Sequence, residues 1–179
     1  MLKNDFRMKS ISLIFICFLA FATQAQAWKI LETHKVAFSN KDVSGTFNQM
    51  SGTIIFDPAN LSNAKFSFKL KVSSINTGNG VQNKHATGSE WFHADKYPYI
   101  EFESSKIEKT DAGYKAIGKL EMHGIKKDVT IPFTFTKKGT KGTFIAKFNV
   151  NRSDYNIGKK GNEVADNIKI TATLPVQKK

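Results

Sequence analysis

Four histidines downstream of residue 27 are the side chains of this sequence best suited to proton transfer or metal binding. They are His34, His85, His93 and His123. No two of them stand at H-x-H or H-x-x-x-H spacing, so no strand or helix presents a ready pair of metal ligands. His85, His93 and Asp95 lie close in sequence, but their irregular spacing favours histidines that hydrogen-bond within a loop. We therefore predict no metal site.

Arg152 is the only arginine after residue 27, beside 23 lysines. A planar guanidinium can bind a carboxylate or a phosphate through two parallel hydrogen bonds, which a lysine cannot. Two interpretations follow. Arg152 contacts a phosphate head group of a ligand, or it pairs internally with Asp154 or Asp166 and fixes the segment NRSDYNIGKKG (151–161). The second is favoured.

Glu101 and Glu103 stand two residues apart, which places both carboxylates on one face of a strand. A pair of carboxylates can hydrolyse glycosides. The alternation of the strand puts them outside, however, where Lys115 or Lys119 could pair with them across strands. The sequence contains no G-x-S-x-G elbow, phosphate-binding glycine loop or dinucleotide fingerprint. We predict no catalytic residues and no enzymatic activity.

His123 lies between two patterned runs in KLEMHGIKKDVTIPFTF (119–135). The alternation places Met122 on the inner face of one strand and His123 on the outer face, and Gly124 then reverses the chain. We therefore predict that His123 occupies a hairpin turn away from any enclosed volume. The inward residues of this stretch are predicted to be Leu120, Val129, Ile131, Phe133 and Phe135.

Most of the chain alternates apolar and polar residues with a period of two, which indicates strands with one buried face. KFSFKLKV (65–72) sorts its phenylalanines from its lysines in this way. We count about eight antiparallel strands. With no helices to cover the apolar face, the sheet must fold on itself as a barrel or as a two-sheet sandwich. Strands of eight to eleven residues favour the barrel, since about five or six is usual.

One connection, NTGNGVQNKHATGSEWFHADKYP (76–98), is too long for a hairpin. Residues 80–92 show helical spacing, which predicts a short helix. Structured connections of this length often act as lids or binding loops. We assign His85, Trp91 and Phe92 to this lid.

Eleven phenylalanines remain after residue 27, and most fall on inward strand faces. The predicted apolar lining consists of Phe66, Phe68, Leu70, Ile100, Phe102, Ile131, Phe133, Phe144, Phe148, Ile170 and Leu174. Small inward residues, Ala116, Gly118, Ala146 and Ala172, would leave room among them. Two alternatives stay open: a slot for an aliphatic or isoprenoid chain, or an ordinary aromatic core.

The first 27 residues have a basic leader, an apolar run of about ten residues and an A-x-A ending, which is typical of a cleaved secretory signal peptide. Residues 28–179 then form one exported domain without cysteine, since Cys17 lies in the leader. Its 24 basic and 14 acidic residues give a net charge of +10. This charge favours transient contact with an anionic membrane surface, and export argues against nucleic acid. A homodimer is left open.

The motifs occur in an order that resembles the YceI-like family. They include WKI (28–30), SGTI (51–54), SINTG (74–78), FHADKYP (92–98), MHGIKK (122–127) and RSDYNIG (152–158). The resemblance covers residues 28–179 and implies a periplasmic, lipocalin-like barrel that binds a polyisoprenoid or fatty-acyl chain, with a part in stress response and no other cofactor. We assign His85, Trp91, Phe92 and Arg152 to the lid and mouth of the pocket.

The chain departs from the family pattern near that mouth. Gln82, Asn83 and Lys84 stand where relatives often carry an arginine and an aspartate, and His93 replaces a common aspartate.

The sequence as a whole leaves three hypotheses: a periplasmic lipid carrier, a solid-cored module whose basic surface binds an acidic envelope component, and an enzyme acting on the bound lipid. The first is favoured.

Overall fold

A computed structural model describes residues 26–159 and 164–179. The predicted signal peptide, residues 1–27, lies outside this part of the chain except for its last two residues. Among the described residues, no helix is long and apolar enough to cross a membrane.

The described chain consists of eleven strands, one α-helix and two 3-10 turns. The strands are β1 (Ala27–Ile30), β2 (Lys35–Ser39), β3 (Ser44–Phe47), β4 (Met50–Asp57), β5 (Asn60–Lys71), β6 (Ile75–Asn76), β7 (Tyr99–Thr110), β8 (Gly113–Met122), β9 (Ile125–Lys138), β10 (Lys141–Asn151) and β11 (Asn167–Lys178). The helix is α1 (Gly80–Thr87), and the 3-10 turns are Val72–Ser74 and Arg152–Tyr155.

The sheet closes on itself as an antiparallel barrel of eight strands. The hydrogen-bonded order runs β1-β4-β5-β7-β8-β9-β10-β11, and β11 pairs again with β1. Strands β2, β3 and β6 continue the sheet at one end of the barrel. There β2 pairs with β11, and β3 pairs with both β2 and β6. The prediction of an eight-stranded antiparallel barrel is confirmed, and the sandwich alternative is wrong.

The period-two pattern translates directly into an inside and an outside. Between β5 and β7, Phe68 lies opposite Phe102 and Leu70 lies opposite Ile100, and all four side chains line the interior. The lysines and glutamates between them point outwards, where Lys69 lies opposite Glu101. Closure therefore gathers the apolar faces of all the strands around one volume.

The end of the barrel that carries β1 and the end of β11 is filled by large side chains. Trp28, Ile54, Phe56 and Val176 are at most 1% exposed. The indole Nε1 of Trp28 donates a hydrogen bond to the carbonyl oxygen of Phe56 at 2.9 Å. We call these four residues the floor of the barrel.

Gly118 corrects one expectation. We predicted that it leaves room inside the barrel, but a Cβ at this position would collide with the carbonyl oxygen of Glu103. The pairing of β7 with β8 shifts register between Ser104 and Lys106, and Gly118 lies opposite Ser104 at that bulge. Its role is therefore to admit the neighbouring backbone.

The long connection contains the expected helix, but a shorter one. The side chain of Asn79 caps α1 by accepting hydrogen bonds from the amides of Val81 and Gln82. The helix ends at Thr87, and the predicted range 80–92 is wrong beyond it. Trp91 and Phe92 lie in the turns that follow, where the amide of Phe92 donates to the carbonyl of Ala86 at 3.0 Å.

We expect Gly118→Ala to lower the free energy of unfolding by about 1–3 kcal/mol, because the backbone of β7 must move to admit the methyl group. Gly80→Ala is the control, since a Cβ there meets nothing within 4 Å and alanine favours the helix. Urea unfolding monitored by tryptophan fluorescence measures both. Equal stability of the two variants would contradict this role of Gly118.

Candidate ligand-binding cavity

A cavity of about 630 Å³ occupies the barrel between the floor and the connection that contains α1. All eleven residues of the predicted apolar lining contact it: Phe66, Phe68, Leu70, Ile100, Phe102, Ile131, Phe133, Phe144, Phe148, Ile170 and Leu174. The sequence prediction thus named side chains that the fold brings together. Their part in binding a ligand stays a prediction.

Sequence reasoning missed the lining that β2, β3 and β4 supply. Val36, Phe38, Phe47 and Met50 also contact the cavity. Their signal was the same alternation, as in KVAFS, but over runs too short to count as long strands. Strands β2 and β3 pair with Val36 opposite Phe47. Recognising a hairpin from Lys35 to Phe47 in the sequence would therefore have identified most of these four lining residues.

The lower boundary of the cavity is an aromatic cluster centred on Phe56. Its ring lies 5.0–6.0 Å from the rings of five neighbours in edge-on or tilted contacts: Phe66, Tyr114, Phe133, Phe135 and Phe144. Phe135, predicted to line the interior, stacks on Phe144 at 4.4 Å instead and contacts Trp28. Phe135 therefore belongs to the solid part of the core.

Room in the cavity comes from small residues that face one another. Ala146 on β10 lies opposite Ala172 on β11, and both contact the cavity. Ala116 on β8 also contacts it. Because two methyl groups meet where other pairs place phenylalanines, the interior is hollow at this level of the barrel.

The mouth of the cavity is covered by α1 and the segment that follows it. His85, Trp91 and Phe92, the predicted lid residues, all contact the cavity. Phe92 packs edge-on against Phe47 at 5.9 Å, which ties this segment to β3. The exposed side chain of His85 leaves it accessible to both solvent and cavity.

Arg152 is buried at the other side of the mouth, with 3% of its surface exposed. Its Nη1 donates to the carbonyl of Ile157 at 2.7 Å, and its Nη2 donates to the carbonyl of Val164 at 2.6 Å. The same Nη2 lies 2.7 Å from Oδ1 of Asp166. The ring of Trp91 lies against the guanidinium at 5.3 Å. Arg152 therefore joins the loop after β10 to the segment that follows α1.

These contacts decide between the two interpretations of Arg152. The internal ion pair forms with Asp166, whereas Asp154 lies 3.8 Å from Lys127 on the surface. The guanidinium is engaged in internal contacts, so the geometry does not favour a contact between Arg152 and a phosphate head group. The polar side chains that contact the cavity near the mouth are Asp42, Thr77, Gln82, His85 and Arg152.

His123 forms the turn between β8 and β9, as predicted. His123 and Gly124 both have positive φ, 51° and 73°, which is the geometry of a tight two-residue hairpin. Nδ1 of His123 lies 3.2 Å from the carbonyl oxygen of Tyr155, and its ring packs on Tyr97 at 4.7 Å. Burial and the Asp154 carboxylate raise the pKa of Tyr155. His123 thus braces two loops at the mouth from outside the cavity.

The remaining chemical candidates lie away from the cavity. Glu101 and Glu103 point outwards as predicted, but they pair with Lys69 and Lys65 of β5, at 2.7 and 2.8 Å, rather than with lysines of β8. His34 lies in the turn after β1. Across residues 26–159 and 164–179, no three histidine, cysteine or acidic side chains come close enough to hold a metal ion.

We expect Arg152→Met to lower the free energy of unfolding by about 3–5 kcal/mol, because Asp166 and several carbonyl groups lose a buried partner. Lys127→Met is the control, since its contact with Asp154 is long and exposed, and it should cost about 1 kcal/mol or less. Urea unfolding measures both variants. Similar small losses would show that Arg152 does not fasten the mouth.

Comparison with known proteins places this barrel in a family. The model of the YceI-like domain matches residues 24–176. A UPF0312 protein of Yersinia pestis (strain Pestoides F) is 30% identical over 119 residues, which cover 63% of this chain and 62% of that protein. The match therefore spans less than two thirds of the length of this curated relative.

Solved structures show the same fold. Burkholderia cenocepacia BcnA superposes with a TM-score of 0.78 at 29% identity, covering 82% of this chain and 99% of BcnA. The Campylobacter jejuni YCEI protein gives 0.71 at 26% identity, covering 79% and 88%. A polyisoprenoid binding domain from Saccharophagus degradans gives 0.65 at 13% identity, covering 87% and 99%, which shows likeness of fold alone. From its barrel, its motifs and the matched span, the chain belongs to the YceI-like family.

Proposed function

We propose that this protein binds one apolar chain, a polyisoprenoid or a fatty-acyl lipid, inside the barrel and carries it within the periplasm. The observation that carries the proposal is the cavity of about 630 Å³, whose contacting side chains are mainly phenylalanine, isoleucine, leucine and alanine. Ligand pockets commonly enclose about 300–1,000 Å³. A void of this size lined by apolar groups gains free energy when a chain excludes water from it.

The relatives support this proposal by analogy. The Saccharophagus degradans domain that shares the fold is described as a polyisoprenoid binding domain. This chain keeps the feature that such a ligand needs, an apolar interior closed at one end by the floor and lined on all sides. Because this likeness is one of fold alone, the proposal that the ligand is an apolar chain depends on the lining of the cavity itself.

The mouth supports a ligand whose head group is not a phosphate. Arg152 is already engaged with Asp166 and with backbone carbonyl groups. The other polar side chains at the mouth are Asp42, Thr77, Gln82 and His85. Asp42 carries a negative charge, and the other three offer hydrogen bonds, which suits an uncharged polar end.

The cavity also weighs against the solid-cored module, since such a protein would fill this space with side chains. We further propose that the protein acts by binding and release, without turnover. Periplasmic location and a part in stress response stay predictions, and a homodimer stays open. Solvent extraction and mass spectrometry of protein purified from its own compartment test the proposal, and we expect a chain lipid in stoichiometric amount. The absence of such a lipid, with no uptake when one is offered, would favour the solid-cored module.

Chain length should control affinity. With about 30 Å³ for a group the size of a water molecule or a methylene, the cavity holds roughly 20 such groups. In a series of straight-chain fatty alcohols, each added methylene should lower the Kd about fourfold, the equivalent of about 0.8 kcal/mol, until the cavity is full. Displacement of a fluorescent fatty-acid probe measures this series. An affinity independent of chain length would contradict burial of the chain.

Ala146→Trp should block the cavity, because the indole would enter the space between Phe133 and Ala172. Ile145→Trp is the matched control one residue away on the same strand, where the side chain points outwards and is exposed. We expect Ala146→Trp to weaken lipid binding at least tenfold and Ile145→Trp to leave it unchanged, measured by the same displacement assay. Undiminished binding by a folded Ala146→Trp protein would place the ligand elsewhere.

A further inference from the structure

Charges on the outside of the barrel are segregated between its two sides. Ion pairs cover the side formed by β5, β7, β8 and the first half of β9. They are Lys65 with Glu103, Lys69 with Glu101, Lys106 and Lys115 with Glu108, Lys119 with Asp128, and Lys126 with Glu121, all at 2.6–2.9 Å. Hydrogen bonds from Lys106 and Lys115 lower the pKa of Glu108 to about 2. Strands β5, β7, β8 and residues 125–131 of β9 carry nine lysines and five carboxylates, a net charge of +4, and six of the nine lysines lie in these close ion pairs.

The other side has lysines but almost no carboxylates. Strands β1, β2, β10 and β11 contain no aspartate or glutamate. Six exposed lysines point outwards here and at the adjoining end of β9: Lys29, Lys35, Lys138, Lys141, Lys147 and Lys169. Within the part of the chain that the structure describes, none of the six forms an ion pair. Among the described residues, Glu32 is the carboxylate in the turn between β1 and β2. We call the six lysines the basic face.

The register of the strands sets the dimensions of the basic face. At one end, Lys138 lies opposite Lys141, Lys141 opposite Gln177, and Gln177 opposite Lys29. At the other end, Lys169 lies opposite Asn149. Eight residues of β11 separate the two ends, which is roughly 26 Å at about 3.3 Å per residue. Four neighbouring strands make the face about 14 Å wide.

The side chains between these lysines are small or apolar. They include Thr143, Thr173 and Pro175 on the outer face, with the exposed side chain of Ile145 near the centre. A lysine is a compact point charge that attracts phosphate without demanding a fixed geometry. Six such charges spread over this area match an array of head groups better than one bound anion. We propose that the basic face is a docking surface for an anionic phospholipid bilayer.

When the basic face lies on the bilayer, one edge of the cavity mouth also reaches the bilayer. The strands of the basic face end at two loops that contact the cavity, the β2–β3 turn with Asp42 and Val43 and the loop after β10 with Ile157 and Val164. A chain leaving the cavity between these loops would enter the lipid without crossing open water. Docking thus gives the proposed carrier a surface at which it exchanges its ligand with the membrane.

Co-sedimentation with vesicles tests the docking surface. The probes are vesicles of phosphatidylcholine alone and of phosphatidylcholine with about one third phosphatidylglycerol. We expect binding only to the second kind, weakening as salt is raised, because exposed charges are screened beyond about 10 Å at 0.1 M salt. Near an anionic membrane each lysine contributes about fivefold in the partition coefficient.

Two matched variants separate docking by this face from general charge attraction. The first replaces Lys35, Lys141, Lys147 and Lys169 with glutamine, and we expect a loss of at least a hundredfold. The second replaces Lys65, Lys69, Lys119 and Lys126 with glutamine, which removes the same charge from the opposite side. We expect this variant to lose less than tenfold in its binding to anionic vesicles. Thermal unfolding verifies that both variants are folded.

Equal losses in the two variants would overturn the proposal, as would equal binding of the protein to neutral and anionic vesicles. Retention on polyglutamate without binding to anionic vesicles would also overturn it, in favour of an acidic protein partner. Neither variant touches the cavity, so the displacement assay should give unchanged lipid affinity in both. Failure of docking therefore leaves the proposed carrier function standing, and an empty cavity leaves docking testable.

Discussion

The structure depends on three paired residues that close the sheet. Strand β1 lies between β4 and β11, with Trp28 opposite Lys178, Lys29 opposite Gln177 and Ile30 opposite Val176. Without this short ladder the floor end of the sheet would be open, with unpaired edges and apolar side chains exposed to water, because β2 pairs with β11 only nearer the mouth. With it, each of the eight barrel strands has two neighbours, and the alternation of side chains becomes a division between an enclosed volume and a surface.

Closure alone does not make the interior hollow. The same inward rows are solid at the floor and open above it, because the sizes of facing side chains differ. Near the floor, Phe56 is surrounded by aromatic rings, whereas higher up Ala146 faces Ala172. A buried aromatic floor stabilises the barrel through its area and its edge-on contacts. The protein thus concentrates its packing at one end, which leaves the other end free to hold a ligand.

Much of this could be predicted from the sequence, because a period of two reports which face of a strand is buried. That signal identified the barrel and the eleven lining residues. It could not tell whether the interior was filled, since volume depends on which residues meet across strands. Gly118 was misassigned for the same reason: an inward glycine and one beneath a bulge look alike until the register with Ser104 is known. The partner of Arg152 depended on how the loop after β10 folds back.

The surface and the cavity are consequences of one sequence pattern with different rules on its two faces. Inward positions are constrained by volume, so apolar residues recur there on every strand. Outward positions are free to vary, yet most of the strand carboxylates occur on β7, β8 and the start of β9, where each has a lysine partner. Solubility would be served equally well by mixing both signs over the whole barrel. Concentrating the carboxylates on one side leaves a more cationic side that ends at the two loops beside the mouth, so the proposed docking surface adjoins the proposed exit of the ligand.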